Sequence, residues 1–162
     1  MSNKTRLFLY PASIIVLLDQ ASKVLIARTI PAYGTLPVIK GFFNLVHVRN
    51  RGIAFGLMNR PEGLLTTYIL PIATVAVILL LLYLYFKLKS EGNRIVLGLS
   101  LILGGAVGNL IDRLLLGHVI DFLDFYIGSL HWPAFNIADA SITIGALWVA
   151  GNILFSGREK GD

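Results

Sequence analysis

Four stretches of the chain are apolar almost without interruption: Leu7 to Ala27, Leu64 to Phe86, Ile95 to Leu116 and Phe135 to Phe155. Their hydrophobic positions do not gather on one stripe, so the pattern is that of helices surrounded by apolar groups on all sides. A helix of about 20 residues rises about 30 Å, enough to cross the hydrocarbon of a bilayer. Where water is absent, only a helix or a closed barrel satisfies its own backbone. The pattern therefore predicts four transmembrane helices. The second carries no ionisable group except its tyrosines, and Pro71 is read as an interior proline whose lost hydrogen bond neighbouring helices compensate. The other three have charges inside them.

The segment between the first two spans, roughly Thr29 to Gly63, contains PVIKGFFNLVHVRNRGIAFG. Its Val and Phe content and the turn-like Arg-Asn-Arg-Gly predict two or three short strands lying against the membrane surface. A shorter outer segment, Gly117 to Pro133, joins the third and fourth spans, and the tight turn KLKSEGNR joins the second and third. No linker, charge run or repeat divides the chain, so residues 1–162 are expected to be one unit. The expected class is an all-α membrane protein, with four transmembrane helices and a small extracytoplasmic β-rich segment between helices 1 and 2.

Composition agrees with a bilayer as solvent: 56% of residues are hydrophobic, only 14% are charged, and the mean hydropathy is +0.75. Charge is informative through its position. Lys4 and Arg6, then Lys87, Lys89 and Arg94, then Arg158 and Lys160 fall on one face of a four-span chain, which the positive-inside rule makes cytoplasmic. Arg28, Lys40, Arg49, Arg51 and Arg60 on the other side weaken the count, and the short KLKSEGNR turn decides the orientation. Lys4 and Arg6 before an apolar run also fit a cleavable signal peptide, but the run resumes beyond Asp19 and Lys23 as VLIA. The absence of cysteine excludes disulfides, thiolate catalysis and thiol lipidation of the chain itself.

Helical rise places the intramembrane polar groups at one depth. From Leu7, Asp19 lies about 18 Å and Lys23 about 24 Å along the first helix, spaced to pair on one face. Asn109, Asp112 and Arg113 lie about 21–27 Å from Ile95 in the third. The fourth helix runs the opposite way, so Asn136 and Asp139 at its start fall in the same outer layer. Three helices thus bring buried polar groups to one level, and intramembrane ionisable residues are functional candidates by default. Each has a plainer reading. Asp19 and Lys23 form a structural ion pair, Asn136 caps helix 4 with Asp139 in its first turn, Asn50 is a turn residue, Arg113 snorkels, and Asp124 is a solvated loop carboxylate. All of these would have to hold at once.

The available chemistry is narrow. Ser22 and Lys23 are adjacent on a helix and cannot face each other as a dyad. His118 with Asp121, plus His47 or His131, is a poor metal set without helical ligand spacing. Two aspartates around one water remain: like charges cannot both ionise easily, so one stays protonated as acid while the other accepts the water's proton.

The motifs DQASK, VRNRGIAFG, GNLIDR, VIDF and FNIADAS, in this order on four spans, resemble the lipoprotein signal peptidases (signal peptidase II) over essentially the whole chain. The resemblance implies an integral-membrane aspartyl protease that removes signal peptides from bacterial prolipoproteins, cutting before the diacylglyceryl-modified cysteine. It implies Asp121 and Asp139 as the catalytic dyad. It implies Asn50, Asn109, Arg113 and Asn136 as residues that line the site or hold substrate, and Asp19, Lys23 and Asp112 as supporting polar residues. Asp124 lies outside the pattern. No metal or other cofactor and no nucleic-acid partner is implied; the partners are lipidated prolipoproteins and membrane lipids, and a monomer is expected. Gly117 is the expected end of helix 3 and Asp139 opens helix 4, so the outer loop can turn the two carboxylates toward each other, with the aromatic loop around Tyr126 and Trp132 as a candidate lid. The cluster lies toward one leaflet and the chain lacks repeats. Both features disfavour the competing class, a small transporter or proton relay built on buried aspartates.

Overall fold

The computed structural model describes residues 1–52, 68–90 and 92–156. In chain order its elements are α1 (Asn3–Thr29), β1 (Thr35–Ile39), β2 (Phe43–Asn50), α2 (Leu70–Leu88), α3 (Asn93–Leu116), β3 (Val119–Ile127), β4 (Leu130–His131) and α4 (Ile137–Ser156). All four helices are long and apolar enough to cross a membrane. α1 starts before the expected span because Ser2 caps it, its side chain accepting the Thr5 N–H at 3.2 Å. α2 begins at Leu70, so Pro71 stands in the first turn, where a missing N–H leaves no bond unmade; the expectation of an interior proline is corrected. Residues 64–67 of that expected span, Ile53 to Gly56 of VRNRGIAFG, Arg60, Arg158 and Lys160 lie outside the described residues.

α3 is the central helix, with 67% of its most apolar window buried against 17–22% in the others. The remaining helices turn side chains such as Leu17, Leu79 and Leu147 outward, as lipid-facing helices do. Phe8 of α1 stacks on Tyr85 of α2 with ring centroids 4.2 Å apart, and both pack with Val96, Leu99 and Leu103 of α3. At that end Lys4 Nζ donates to the Lys89 carbonyl, bringing the basic amino-terminal segment to the α2–α3 turn.

The sheet lies at the opposite end of the helices. It is antiparallel in the order β1-β2-β3-β4. The expected strands between the first two spans are β1 and β2. The Gly117–Pro133 segment, read as a joining loop, forms β3 and β4 and extends the same sheet. β2 and β3 pair from Phe43↔Phe125 to Asn50↔Val119, with an irregularity between Leu45 and Val48. Ile120 and Phe122 of β3 pack on Ile26 and Ile30, fixing the sheet to the end of α1.

Candidate active site between β3 and α4

Two short pieces of chain position the central carboxylates. α3 ends at Gly117, which takes the left-handed conformation at φ +70° and whose N–H bonds to the Arg113 carbonyl. The chain then reverses into β3, and Asp121 arrives beside the bundle, 2% exposed. On the other side Asn136 and Asp139 start α4 reciprocally. Asn136 Oδ1 accepts the Asp139 N–H at 2.9 Å, and Asp139 Oδ2 accepts the Asn136 N–H at 3.3 Å. The capping role anticipated for this pair is real, and it leaves Asp139 Oδ1 free of the cap.

Amides tie the two carboxylates together. Asn50 donates to Asp121 Oδ2 at 2.9 Å and Asn136 Nδ2 to Asp121 Oδ1 at 2.8 Å. Asn109 Nδ2 donates to Asp139 Oδ1 at 2.8 Å, and Asn136 Nδ2 also lies 3.3 Å from Asn109 Oδ1. Asn136 therefore contacts both aspartates, one through its amide and the other through the cap. Burial, and after it the neighbouring Asp139 carboxylate, push Asp121 up to about 7, against the opposing hydrogen bonds from Asn50 and Asn136.

Behind this layer stands Lys23, 1% exposed. Its ammonium meets Asp19 Oδ2 at 2.7 Å and Asp112 Oδ2 at 3.0 Å, and donates to Asn109 Oδ1 at 3.0 Å. Each partner reaches on toward the carboxylates. Asp19 Oδ1 accepts the Ala138 N–H at 2.9 Å, Asp112 Oδ2 accepts the Ile120 N–H at 3.1 Å, and Asn109 holds Asp139. One cation thus links α1, α3, β3 and the start of α4. The helices approach closely here: a Cβ on Gly108 would lie 2.6 Å from Asp19 Oδ2, and one on Gly105 would collide with the Ala138 carbonyl oxygen.

A cavity of about 440 Å³ opens in front, lined by Asn50, Asn109, Arg113, Asp121 and Asp139. Its apolar wall is formed by Trp132, Pro133, Phe135 and Ile142. Arg113 reaches the Asn109 carbonyl only weakly, at 3.5 Å. All nine polar residues singled out in the sequence converge on this region, but in two layers. Asn136, expected to face substrate, is fully buried behind Asp121 and does not line the cavity. Asp19, Lys23 and Asp112 are behind it too.

One expectation is corrected. Asp124 is not a solvated loop carboxylate: it sits on β3, 7% exposed, between Asn44 and His131. The three histidines are held apart, His47 at the Ile30 carbonyl, His118 at the Leu116 carbonyl and His131 at Asp124. Among the described residues no three His, Asp or Glu side chains gather as a metal-binding group. Gln20 had been passed over. Its amide donates to Asp112 Oδ1 at 2.9 Å and the Gly108 carbonyl at 3.1 Å, joining α1 to α3; a polar residue beside Asp19 within a span was the available signal.

The family model described as Signal peptidase (SPase) II matches residues 12–155. The chain belongs to the signal peptidase II family. Among its relatives, the lipoprotein signal peptidase of Desulforapulum autotrophicum is 44% identical over 145 residues, 90% of either chain. That of Nitratidesulfovibrio vulgaris is 47% identical over 146 residues, 90% of this chain and 88% of the other. A bacterial membrane enzyme solved by the in meso method at 2.3 Å resolution superposes with a TM-score of 0.81 at 33% identity, over 94% of this chain and 90% of that one. Signal peptidase II membership makes the chain a multi-pass membrane protease, and the cavity at the sheet end of its helices is the candidate place for the peptide bond.

Proposed function

We propose that this signal peptidase II is an aspartic endopeptidase of the bacterial inner membrane. It removes the signal peptide from diacylglyceryl-modified prolipoproteins by cutting before the lipidated cysteine. The observation that carries the mechanism is the pair Asp121 and Asp139, delivered by β3 and α4 to one cavity and cross-tied by Asn136. Two neighbouring carboxylates hold one proton between them. With Asp121 pushed up to about 7 by burial, the resting proton is assigned to it.

In the reaction the ionised partner takes a proton from water as the water oxygen attacks the scissile carbonyl carbon, and the protonated carboxyl gives its proton to the carbonyl oxygen. The tetrahedral diol then collapses. The C–N bond breaks, the nitrogen leaves as the amine of the lipidated cysteine after receiving a proton from one carboxyl of the dyad, a diol hydroxyl returns its proton to the other carboxylate, and the signal peptide keeps the new carboxyl group. Asn50 and Asn109 orient the carboxylates at the cavity, Arg113 offers donors to peptide carbonyls, and the Trp132–Phe135 wall offers apolar contact to the bound peptide. Asn136, Asp19, Lys23 and Asp112 position these groups from behind. The apolar outward faces of the helices suit a substrate whose acyl chains remain in the bilayer. The termini and the α2–α3 turn are assigned to the cytoplasm and the cavity to the outer face, on the strength of the basic end at Lys4, Lys87, Lys89 and Arg94. A transporter reading is not favoured by the family or by a site displaced to one end of the spans.

Asparagine exchange at the dyad tests the mechanism. Asp121→Asn and Asp139→Asn preserve shape but cannot pass a proton, so each variant is expected to bind lipopeptide and fail to cleave it. Robust turnover by either one, or activity lost to a chelator and restored by metal, overturns the two-aspartate mechanism.

A further inference from the structure

Asp124 lies three residues beyond Asp121 on β3, and strand alternation puts it on the opposite face, shared with Ile120 and Phe122. It therefore takes no part in the dyad, yet it is a buried carboxylate with both oxygens committed. Oδ2 accepts from Asn44 Nδ2 of β2 at 2.8 Å, and Oδ1 lies 2.8 Å from His131 Nδ1 of β4. A carboxylate only accepts, so the ring carries its proton on Nδ1. Burying this charge is unfavourable where an apolar residue would not be; what the carboxylate adds is a directional link among three strands.

That link matters because β4 is only two residues long, held to β3 by the pairs Tyr126↔His131 and Ile127↔Leu130. The next residue, Trp132, gives its N–H to the Phe125 carbonyl of β3 at 2.8 Å, the chain then leaves the strand, and it returns to β3 at Phe135, which exchanges hydrogen bonds with Leu123 at 2.8 and 3.1 Å. The residues between these points are the apolar wall of the cavity. The His131 side of the link is reinforced by Tyr126, whose ring stacks on the imidazole at 4.8 Å and whose hydroxyl accepts the Gly41 N–H at 2.9 Å.

We propose that Asn44, Asp124 and His131 form a latch that positions the Trp132–Phe135 wall for substrate binding, making Asp124 and His131 positioning residues of the peptidase. The inference rests on the peptidase reading above. Because the latch acts through the wall and not on the reacting atoms, its loss weakens binding and spares the chemical step.

The test compares purified full-length variants on a diacylglyceryl-modified prolipoprotein peptide, together with amide hydrogen exchange of the segment 130–136. His131→Ala is expected to raise KM about tenfold with kcat within about twofold, the scale of losing a hydrogen bond to a charged group, and to speed exchange of the segment. His131→Asn, whose amide can replace Nδ1–H, is expected to restore both. Asp124→Leu removes the acceptor that Asn44 and His131 share and should behave like His131→Ala. Parent-like KM and exchange in His131→Ala and Asp124→Leu overturn the proposal, as does failure of His131→Asn to restore both, or loss of kcat at unchanged KM. A parent protein that cleaves no lipopeptide overturns the peptidase reading instead; parent-like exchange in His131→Ala then still refutes the latch.

Discussion

Lys23→Met removes the one cation from a buried cluster and keeps most of the side-chain volume. In the parent, the ammonium is shared by Asp19 at 2.7 Å and Asp112 at 3.0 Å, with all three side chains nearly inaccessible. The substitution leaves two carboxylates facing each other without a counter-charge, and breaking a buried pair in this way destabilises by about 3–5 kcal/mol. For a chain of this size that corresponds to a fall in unfolding temperature of roughly 10 °C, measurable by intrinsic fluorescence in detergent micelles. Activity should fall too, because the Asn109 link to Asp139 and the Asp112 link to the Ile120 N–H both lose their anchor. The charge argument makes a second demand: adding Asp112→Asn to Lys23→Met removes one of the stranded anions and should recover part of the lost stability. A Lys23→Met protein as thermostable as the parent, or a double variant less stable than the sum of its two single changes, would refute the reasoning.

Gly108→Ala should lower both thermal stability and activity, since its Cβ would sit 2.6 Å from Asp19 Oδ2, the oxygen that Lys23 holds while the Ala138 N–H holds the other; a fully stable, fully active variant would contradict this. Peptidase activity should decline as pH rises through about 7, where Asp121 gives up the proton that the reaction uses. The same carboxyl governs a stability slope. Its folded value lies above the ordinary 3.8, so the folded state binds more protons between about 4 and 7, and stability decreases as pH rises across that window. Asp121→Asn should flatten the slope in thermal melts. An impermeant thiol reagent applied to intact cells should label a cysteine introduced at Trp132 and leave one in the 87–94 turn unlabelled; labelling of the turn would reverse the proposed orientation.

The spans were legible because a run of about 20 apolar residues has few alternatives. Depth along each helix, counted at 1.5 Å per residue, was enough to find the polar layer. What the count could not supply was direction. Asn136 and Asn109 lie at similar depth, yet Asn109 faces the cavity and Asn136 is sealed behind it, a distinction set by how β3 crosses the end of the bundle. β3 itself was obscured because VIDFLDFYI is buried on both faces along much of its length and shows no alternation. Asp124 was misread for a related reason. Its partner Asn44 is 80 residues away in sequence, and His131 joins it only once the β3–β4 hairpin exists. Pro71 was ambiguous because an interior proline and a first-turn proline look alike until the helix start is known.

The central claim is tested most directly by incubating the purified protein in micelles with a diacylglyceryl-modified prolipoprotein peptide and with the same peptide left unmodified, and identifying the products by mass spectrometry. The account predicts a single cut before the lipidated cysteine, no cut in the unmodified peptide, and no product from Asp121→Asn or Asp139→Asn. Equal cleavage of both peptides, a cut elsewhere, or turnover by the dyad variants would contradict it.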